Sequence, residues 1–227
     1  MSDAAEQFAA ERREQGYSVA TFAVLGLVAL REWTTYELAQ QMKRSFSYFW
    51  PRAERRIYDE PKRLAKAGYV QARREVVGRR PRTCWAITPK GREALRHWLA
   101  EPVSSPTMEF EGMVKVFLSD QGSKRQLLDT LAEIRADAVR HRQHLAEMSV
   151  EVATNAGQFP ERVHINALAM SYMVQVTELT ARWAEESADV VREWRGTANP
   201  GEAAREHGRN DFHRLAGDGH ADTSGKS

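Results

Sequence analysis

The sequence predicts a mainly α-helical protein that contains one small β-hairpin. Apolar residues recur at helical spacing through much of the 227-residue chain. Residues 69–88 differ, because two runs of strand-forming residues flank a turn that contains Gly78 and Pro81. In the second half, apolar residues follow an a/d pattern over about four heptads. These observations predict a helical domain that carries the hairpin, followed by a domain of long paired helices.

Composition narrows the class of protein. Charged residues make up 28% and hydrophobic residues 42%, as in ordinary soluble globular proteins. No apolar run approaches the ~20 residues that a membrane span needs, and the first residues lack the basic flank and apolar centre of a signal peptide. The single cysteine, Cys84, fits a small buried strand residue and excludes an internal disulfide. We expect a cytoplasmic protein that uses no cofactor and no membrane.

Charge is distributed unevenly along the chain. Residues 43–92 contain 15 lysines and arginines but only four acidic residues, which gives this segment a net charge of +11. The remainder carries −9, although the whole chain has a net charge of only +2. A basic module attached to an acidic remainder indicates one part that faces a polyanion and another with a different task.

The first elements belong to one helical domain. Residues 1–17 are predicted to form a flexible or helical arm. Ser18 can cap the next helix, which is apolar on nearly all sides and is therefore expected to be buried. Thr34 or Thr35 caps another helix, and Thr34 with Glu37 resembles a capping box. This helix is predicted to be the first half of a helix-turn-helix motif.

A basic helix follows. Pro51 suits its first turn, because the missing N–H would be unpaired there anyway, and Gly68 suits its end. Pro61 lies deep inside the pattern, where it removes a hydrogen bond and clashes with the carbonyl of Ile57. We therefore predict a kink at Pro61. Four aromatic residues precede the helix, and they form either a small core between two helices or a contact with a sugar-phosphate backbone.

The hairpin completes the domain. Residues 69–76 and 83–88 are predicted strands, and the turn between them contains Arg79, Arg80 and Arg82. A helix that ends at glycine and is followed by a hairpin with a basic tip is the layout of a winged helix-turn-helix. We interpret the helix as the element that enters the major groove of DNA and the hairpin as the wing.

Beyond the hairpin, helix caps and helix-breaking residues predict the remaining elements and the domain boundaries. Thr88 caps one more helix, with Pro89 in its first position, and this helix stops before Pro102. The predicted domain boundaries are a winged helix-turn-helix domain at 18–100, a linker at 101–108, a helical dimerisation domain with a possible effector site at 109–195, and a disordered tail at 196–227.

The helical domain is predicted to be an antiparallel hairpin of two long helices. Its first helix carries the a/d residues Leu127, Leu131, Ile134, Ala138, His141, Leu145, Met148 and Val152. The second, from about Pro160 to Arg195, carries an inward stripe of Leu168, Tyr172, Val176, Leu179, Trp183, Val190 and Trp194. Because the core of such a hairpin is thin, we expect a second copy to pair with it. The expected dimerisation residues are Leu25, Leu127, Leu131, Ile134, Leu145, Met148, Leu179 and Trp183.

The first domain resembles the PadR family of transcriptional regulators. The resemblance rests on Val24-Leu25-Gly26-Leu27-Val28, Tyr36-Glu37-Leu38, Arg56-Ile57-Tyr58-Asp59-Glu60-Pro61-Lys62-Arg63-Leu64, Ala67-Gly68-Tyr69-Val70 and Ala86-Ile87-Thr88-Pro89-Lys90-Gly91-Arg92. It covers roughly residues 18–100, and the helical remainder resembles the C-terminal domain of larger members. It implies a homodimer, a winged helix-turn-helix on double-stranded DNA, and usually repression relieved by a small molecule. Many relatives carry leucine where this chain has Pro61.

Candidate DNA-binding residues follow from charge and position. Lysines and arginines that neutralise phosphates release counterions, and an arginine can also bind a guanine edge through two hydrogen bonds. The candidates are Tyr36, Tyr48, Arg52, Arg55, Arg56, Tyr58, Lys62, Arg63, Arg79, Arg80 and Arg82. Any single arginine could instead be a solvated surface charge. A small apolar or aromatic effector could bind at Trp98, Met113, Phe117 and Tyr172, although core or dimer packing is the better explanation for each residue by itself.

Two other classes of function were weighed. The sequence contains no Gly-rich phosphate loop, no nucleophile elbow and no His/Cys/Glu set at metal-ligand spacing, so we predict no enzyme and no metal site. A coiled-coil adaptor whose winged-helix domain binds a protein is the second alternative. A third keeps DNA binding but has no effector. Salt dependence separates DNA binding from the adaptor, because only phosphate contacts weaken steeply with added salt.

Overall fold

The computed structural model describes residues 8, 10, 12–46, 58–77, 80–155 and 158–221. The chain divides into two compact units, Met1–Pro106 and Thr107–Ser227. None of the described helices is both long enough and apolar enough to cross a membrane.

Unit 1 combines helices with a three-stranded antiparallel sheet. Its elements are α1 (Val19–Leu30), β1 (Trp33–Thr34), α2 (Thr35–Phe46), α3 (Glu60–Lys66), β2 (Val70–Val77), β3 (Arg80–Ile87) and α4 (Pro89–Ala100). The strand order is β1-β3-β2, and the predicted hairpin is confirmed. Strand β1, which pairs Trp33 with Trp85, was not predicted because two residues are too few for an alternating pattern.

Helix α1 forms the centre of the core of unit 1. As its nearly uniform apolar sequence predicted, Phe22, Val24, Leu25 and Val28 are buried. Trp33 is buried beside it and donates an indole hydrogen bond to the carbonyl oxygen of Leu27 at 2.7 Å. Leu25 is completely buried in the core of its own chain. The expectation that Leu25 contacts a second copy is therefore corrected, since no surface of it is left for a partner.

The predicted caps at Thr34 and Thr88 are present. The backbone N–H of Thr34 donates to Glu37 Oε2 at 2.8 Å, and the N–H of Glu37 donates back to Thr34 Oγ1 at 3.2 Å. Thr88 Oγ1 accepts from the N–H of Gly91 at 3.0 Å, with Pro89 at the start of α4. The bonds to Thr34 Oγ1 and Thr88 Oγ1 satisfy N–H groups that the first turns of α2 and α4 would leave unpaired.

The predicted kink at Pro61 is wrong. Tyr58 and Asp59 form a turn, and α3 begins at Glu60, so Pro61 lies in the first turn of a new helix. At that position the missing N–H costs no intrahelical hydrogen bond. Residues 47–57, which include Pro51 and the four aromatic residues before it, lie outside the described part of the chain.

Unit 2 is helical. Its elements are α5 (Glu111–Phe117), a 3₁₀ turn (Ser119–Gln121), α6 (Lys124–Asn155), a second 3₁₀ turn (Pro160–Arg162), α7 (Val163–Arg192) and α8 (Glu202–Ala221). Two ion pairs fix the direction of α6 against α7. Arg142 Nε lies 2.7 Å from Glu178 Oε1, and Arg135 Nη2 lies 3.3 Å from Glu185 Oε1. Because one partner number falls as the other rises, the two helices are antiparallel, and the predicted helical hairpin is confirmed.

The inward face of α7 agrees only in part with the predicted one, because Trp183 and Trp194 pack on the core but other predicted residues do not. Its buried residues are Thr177, Ala184, Ala188 and Val191, of which Ala188 and Val191 pack on Leu127 and Leu131 of α6. The larger apolar residues Leu168, Tyr172, Leu179 and Val190 are exposed instead. Small residues at the contact let the two helix backbones approach closely, so the bulky stripe lies on the neighbouring face.

The predicted disordered tail also requires correction. Residues 202–221 form α8, although the composition is rich in glycine and histidine. Pairs one turn apart within the helix stabilise it, such as Arg205 with Glu202 at 3.6 Å and Arg214 with Asp211 at 3.1 Å. The connection before α8 is held as well, because Thr197 Oγ1 donates to the carbonyl oxygen of Gly122 at 2.9 Å.

Candidate nucleic-acid interface

The first turn of α2 presents an exposed tyrosine. Tyr36 is 69% exposed, whereas Leu38, Gln41 and Met42 on the opposite face are buried. The indole N–H of Trp85 donates to Thr35 Oγ1 at 2.9 Å and ties the start of α2 to strand β3. The capping bonds from Thr34, the backbone N–H first and then the hydroxyl, hold the pKa of Glu37 below its ordinary value. Tyr36 is therefore held on a fixed turn with its ring in solvent.

Helix α3 carries two candidate residues on its outer surface. Tyr58, in the preceding turn, and Lys62 are exposed, and Lys62 Nζ lies 3.6 Å from Asp59 Oδ1. Leu64 anchors the opposite face in the core. Gly68 ends this segment with φ +78°, as predicted. The position of α3 thus depends on a buried inner face, and Lys62 lies on the solvent side, where its only ion pair among the described residues is the exposed one with Asp59.

Arg63 points the other way. Its Nη1 donates to Glu60 Oε1 at 3.2 Å, its Nη2 donates to the backbone oxygen of Gln15, and its Cζ lies 4.8 Å from the ring centroid of Tyr17. These contacts occupy the guanidinium within unit 1. The expectation of a DNA contact by Arg63 does not agree with this arrangement.

The hairpin pairs one of its arginines internally. Glu75 lies opposite Arg82 in the register of β2 and β3, and Arg82 donates to Glu75 Oε2 from Nε at 3.1 Å and from Nη2 at 2.9 Å. The hydrogen bonds from Arg82 lower the pKa of Glu75, and burial is the main reason that the pKa of the neighbouring Cys84 thiol is raised. Arg82 is exposed, but its charge is partly compensated.

Two arginines in β2 were not among the candidates. Arg73 and Arg74 are exposed, and Arg73 pairs with Glu32 at 2.9 Å, whereas Arg74 has no ion-pair partner among the described residues. Side chains alternate across a strand, so two consecutive arginines place one charge on each face of the hairpin. This alternation is the sequence signal that could have identified Arg74 as a candidate DNA-binding residue. The candidates Tyr48, Arg52, Arg55, Arg56 and Arg79, and the side chain of Arg80, lie outside the described residues.

The effector candidates fall in different places. In unit 1, Trp98 stacks on Phe22 with centroids 5.0 Å apart and planes at 5°. In unit 2, Met113 and Phe117 line an open groove of about 840 Å³ together with Met108, Glu109, Phe110, Glu111, Val114 and Leu118. Tyr172 is exposed on α7. The groove is apolar and bears two carboxylates.

The dimerisation candidates separate by burial. Leu127, Leu131, Ile134 and Leu145 are buried within the chain, and Met148 and Trp183 are partly buried. Trp183 packs against the cluster that contains Leu127 and Leu131. Leu179 is 57% exposed. Of the eight candidates, Leu179 alone is a largely exposed side chain. Among the described residues, no three His, Cys, Asp or Glu side chains lie together in a way that could hold a metal ion.

The chain resembles known proteins over both units. Residues 24–97 match the transcriptional regulator PadR-like family, and residues 111–192 match the family described as virulence activator alpha C-term. The negative transcriptional regulator PadR of Bacillus subtilis is 26% identical over 113 residues, 49% of this chain. The chain spans 62% of that relative's length. The probable transcriptional regulator Rv1176c of Mycobacterium tuberculosis is 25% identical over 172 residues, 70% of this chain and 90% of the relative.

Solved structures share the fold. The structure of Bacillus subtilis PadR in complex with operator DNA has a TM-score of 0.67 at 19% identity and covers 77% of this chain and 99% of its own. The structure of the same protein with p-coumaric acid has a TM-score of 0.64 at 21% identity, with coverages of 78% and 100%. The Vibrio cholerae virulence activator AphA has a TM-score of 0.59 at 22% identity, with coverages of 76% and 98%.

Proposed function

The chain belongs to the PadR-like family of transcriptional regulators, and from this premise we propose that it is a sequence-specific DNA-binding repressor that acts as a homodimer. The observation that carries the proposal is the outer surface of unit 1. Tyr36, Lys62 and Arg74 are exposed on α2, α3 and the hairpin, within or beside a segment of net charge +11. Because its partner is DNA, we place the protein in the cytoplasm.

The proposed contacts have different tasks. Lys62 and Arg74 neutralise phosphates and position the protein on the duplex. Tyr36 and Tyr58 contact the backbone, and the basic residues of segment 52–56 read base edges in the major groove. Repression is favoured over activation because the relative from Bacillus subtilis is named a negative regulator.

A second copy is proposed to cover the exposed apolar face of α7. Leu168, Tyr172 and Leu179 lie on this face with most of their side chains in solvent, and an apolar stripe of this length indicates a protein–protein interface. A two-fold dimer would place a second reading helix about one helical turn away on DNA, which requires a near-palindromic operator.

We further propose a small apolar or aromatic effector that releases the dimer from DNA. A relative of the same fold has been solved with p-coumaric acid. In this chain, the apolar groove around Met113 and Phe117 is the favoured binding site. An effector at this groove would act by favouring one dimer geometry over the other.

The test is an electrophoretic mobility shift on the DNA just upstream of the coding region, at about 50 and 200 mM salt. A shift that resists unrelated competitor DNA and weakens steeply with salt is expected. If this DNA gives no shift, duplexes are selected from a random pool. A folded protein that enriches no duplex would exclude sequence-specific DNA binding and favour the protein-interaction adaptor.

A further inference from the structure

Residues before α1 are part of unit 1. Phe8 is buried and stacks on His97 of α4, with ring centroids 5.4 Å apart, and it meets Phe22 of α1 edge-on at 6.1 Å. Tyr17 is buried as well, with its ring 5.8 Å from that of Tyr69. This segment precedes the region matched by the PadR-like family, which begins at residue 24. It therefore adds contacts that the family match does not describe.

One end of this segment holds α3 through Arg63. The guanidinium donates to the backbone oxygen of Gln15, lies over the ring of Tyr17 and pairs with Glu60. Glu60 is only 2% exposed, and its Oε2 has no hydrogen-bond partner among the described residues. Arg63 is therefore the group that compensates a buried carboxylate at the start of α3, and such pairs are costly to break from one side.

The other end holds the last turn of α4. Arg12 Nη1 pairs with Glu101 Oε2, and Arg12 Cζ lies 5.7 Å from the ring centroid of Phe22. Glu101 follows α4 directly and opens the segment 101–110, which contains neither helix nor strand. The short stretch from Arg12 to Tyr17 thus connects α3 with the end of α4.

We propose that residues 12–17 form a strut that holds α3 in place and, through α3, sets the position of the base-reading segment 52–56 shortly before it, and that Arg63 is a positioning residue rather than a DNA contact. This rests on the proposed function and deepens it. Hydrogen bonds to base edges need a correctly placed helix, whereas attraction to phosphates tolerates small displacements. Loss of the strut therefore lowers the preference for the correct sequence more than it lowers the affinity for DNA in general.

The first test replaces Arg63 by lysine. Lysine keeps the charge but cannot reproduce the planar fork that bonds Glu60 and Gln15 together. The probes are a duplex selected from random DNA by the wild-type protein and a scrambled duplex of the same composition. Arg63→Lys is expected to lower the ratio of the affinity for the selected duplex to the affinity for the scrambled duplex by about three- to tenfold, the effect of one or two hydrogen bonds. The salt dependence of DNA binding should be unchanged.

The matched control is Lys62→Ala on the same helix. Loss of the Lys62 ammonium group is expected to weaken binding to both duplexes. It should also reduce the slope of log affinity against log salt concentration by about one. If Arg63→Lys binds both duplexes like the wild type while Arg63→Ala reduces that slope as Lys62→Ala does, Arg63 is a phosphate contact and the strut is refuted.

The second test acts at the Arg12 end of the strut, and its main readout, hydrogen exchange, needs no DNA. Arg12→Gln removes the pair with Glu101 and leaves Arg63 unchanged. Faster hydrogen exchange is expected at the backbone amides of α3 but not at those of α2, together with the same loss of selectivity. Exchange in α3 at the wild-type rate would overturn the strut. This outcome stays distinct from failure of the proposed function, in which the wild-type protein selects no duplex at all.

Discussion

Arg82 lies directly opposite Glu75 on the hairpin and donates two hydrogen bonds to one oxygen of its carboxylate. The pair places an acidic group within the wing, where every other charged residue of β2 and β3 is an arginine. An exposed pair of this kind contributes little to stability. Its main consequence is electrostatic, because the carboxylate competes with DNA phosphates for Arg82.

Replacing Glu75 by glutamine should therefore strengthen DNA binding. We expect roughly a two- to fivefold higher affinity at low salt and a steeper salt dependence, because one more cation becomes available to phosphates. Fluorescence anisotropy with the selected duplex measures both. Glu111→Gln, which removes the same charge from an exposed site in unit 2, is the control. An equal gain in both variants would assign the effect to net charge alone.

The capping carboxylate of α2 should make the stability of unit 1 depend on pH. The pKa of Glu37 is lower in the folded protein, so its contribution is complete above the pKa of the unfolded chain and is lost as pH falls through the folded value. Glu37→Gln is expected to lower the free energy of unfolding by about 0.5–1 kcal/mol at pH 7. Urea unfolding should show this deficit shrinking as the pH falls below about 4. Glu14→Gln, exposed in the same unit, should show no deficit at either pH.

Gly91 permits α4 to pack against the start of the hairpin. A Cβ at this position would overlap the backbone carbonyl oxygen of Tyr69, and a backbone atom cannot rotate away as a side chain can. Gly91→Ala is expected to lower the free energy of unfolding by about 3 kcal/mol, measured by urea denaturation. The matched control is Gly26→Ala in α1, where a Cβ meets nothing within 4 Å. That substitution should be neutral or stabilise by up to about 1 kcal/mol.

Local signals in the sequence predicted unit 1 well. The caps at Thr34 and Thr88, the hairpin and the buried helix α1 each depend on a few neighbouring residues, and all are observed. The error at Pro61 came from reading one continuous helix through Tyr58 and Asp59, which form a turn directly before α3 begins at Glu60. Helical spacing of apolar residues continues across a short turn, so periodicity alone does not detect such an interruption.

In unit 2, the spacing of apolar residues was not sufficient to predict which side chains are buried. Apolar spacing predicted two antiparallel helices and correctly placed Trp183 and Trp194 against the core, but it also assigned exposed residues of α7 such as Leu168 and Leu179 to the inward face. A hydrophobic side chain gives the same sequence signal whether it packs within its own chain or on another surface. Ala184 and Ala188 form the actual contact, and their small size made them inconspicuous beside Leu179. The network of Arg63 was missed because it joins residues 48 positions apart.

The distinction between the buried and the exposed face of α7 can be tested first in the core between α6 and α7. Leu131 is 1% exposed and packs with Leu127, Ala188 and Val191. Leu131→Ala is expected to lower the free energy of unfolding by about 2–5 kcal/mol, because it removes buried methyl groups and leaves a cavity between α6 and α7. Urea denaturation followed by circular dichroism measures the change. A loss below about 0.5 kcal/mol, the level of ordinary surface substitutions, would contradict the assigned core.

For the exposed face of α7 we expect the opposite result, a substitution that leaves the stability of the monomer nearly unchanged. Leu179 contributes little to the core of its own chain, so Leu179→Asp should leave helix content and the midpoint of urea unfolding of the monomer nearly unchanged. If a second copy covers this face, the buried carboxylate would be unpaired and the dimer would dissociate. Sedimentation velocity at micromolar concentration should then show monomers, whereas Glu186→Gln, an exposed change on the same helix, should remain dimeric. A Leu179→Asp protein that stays dimeric would place the interface elsewhere, since a charge cannot be buried there without a large cost in association free energy.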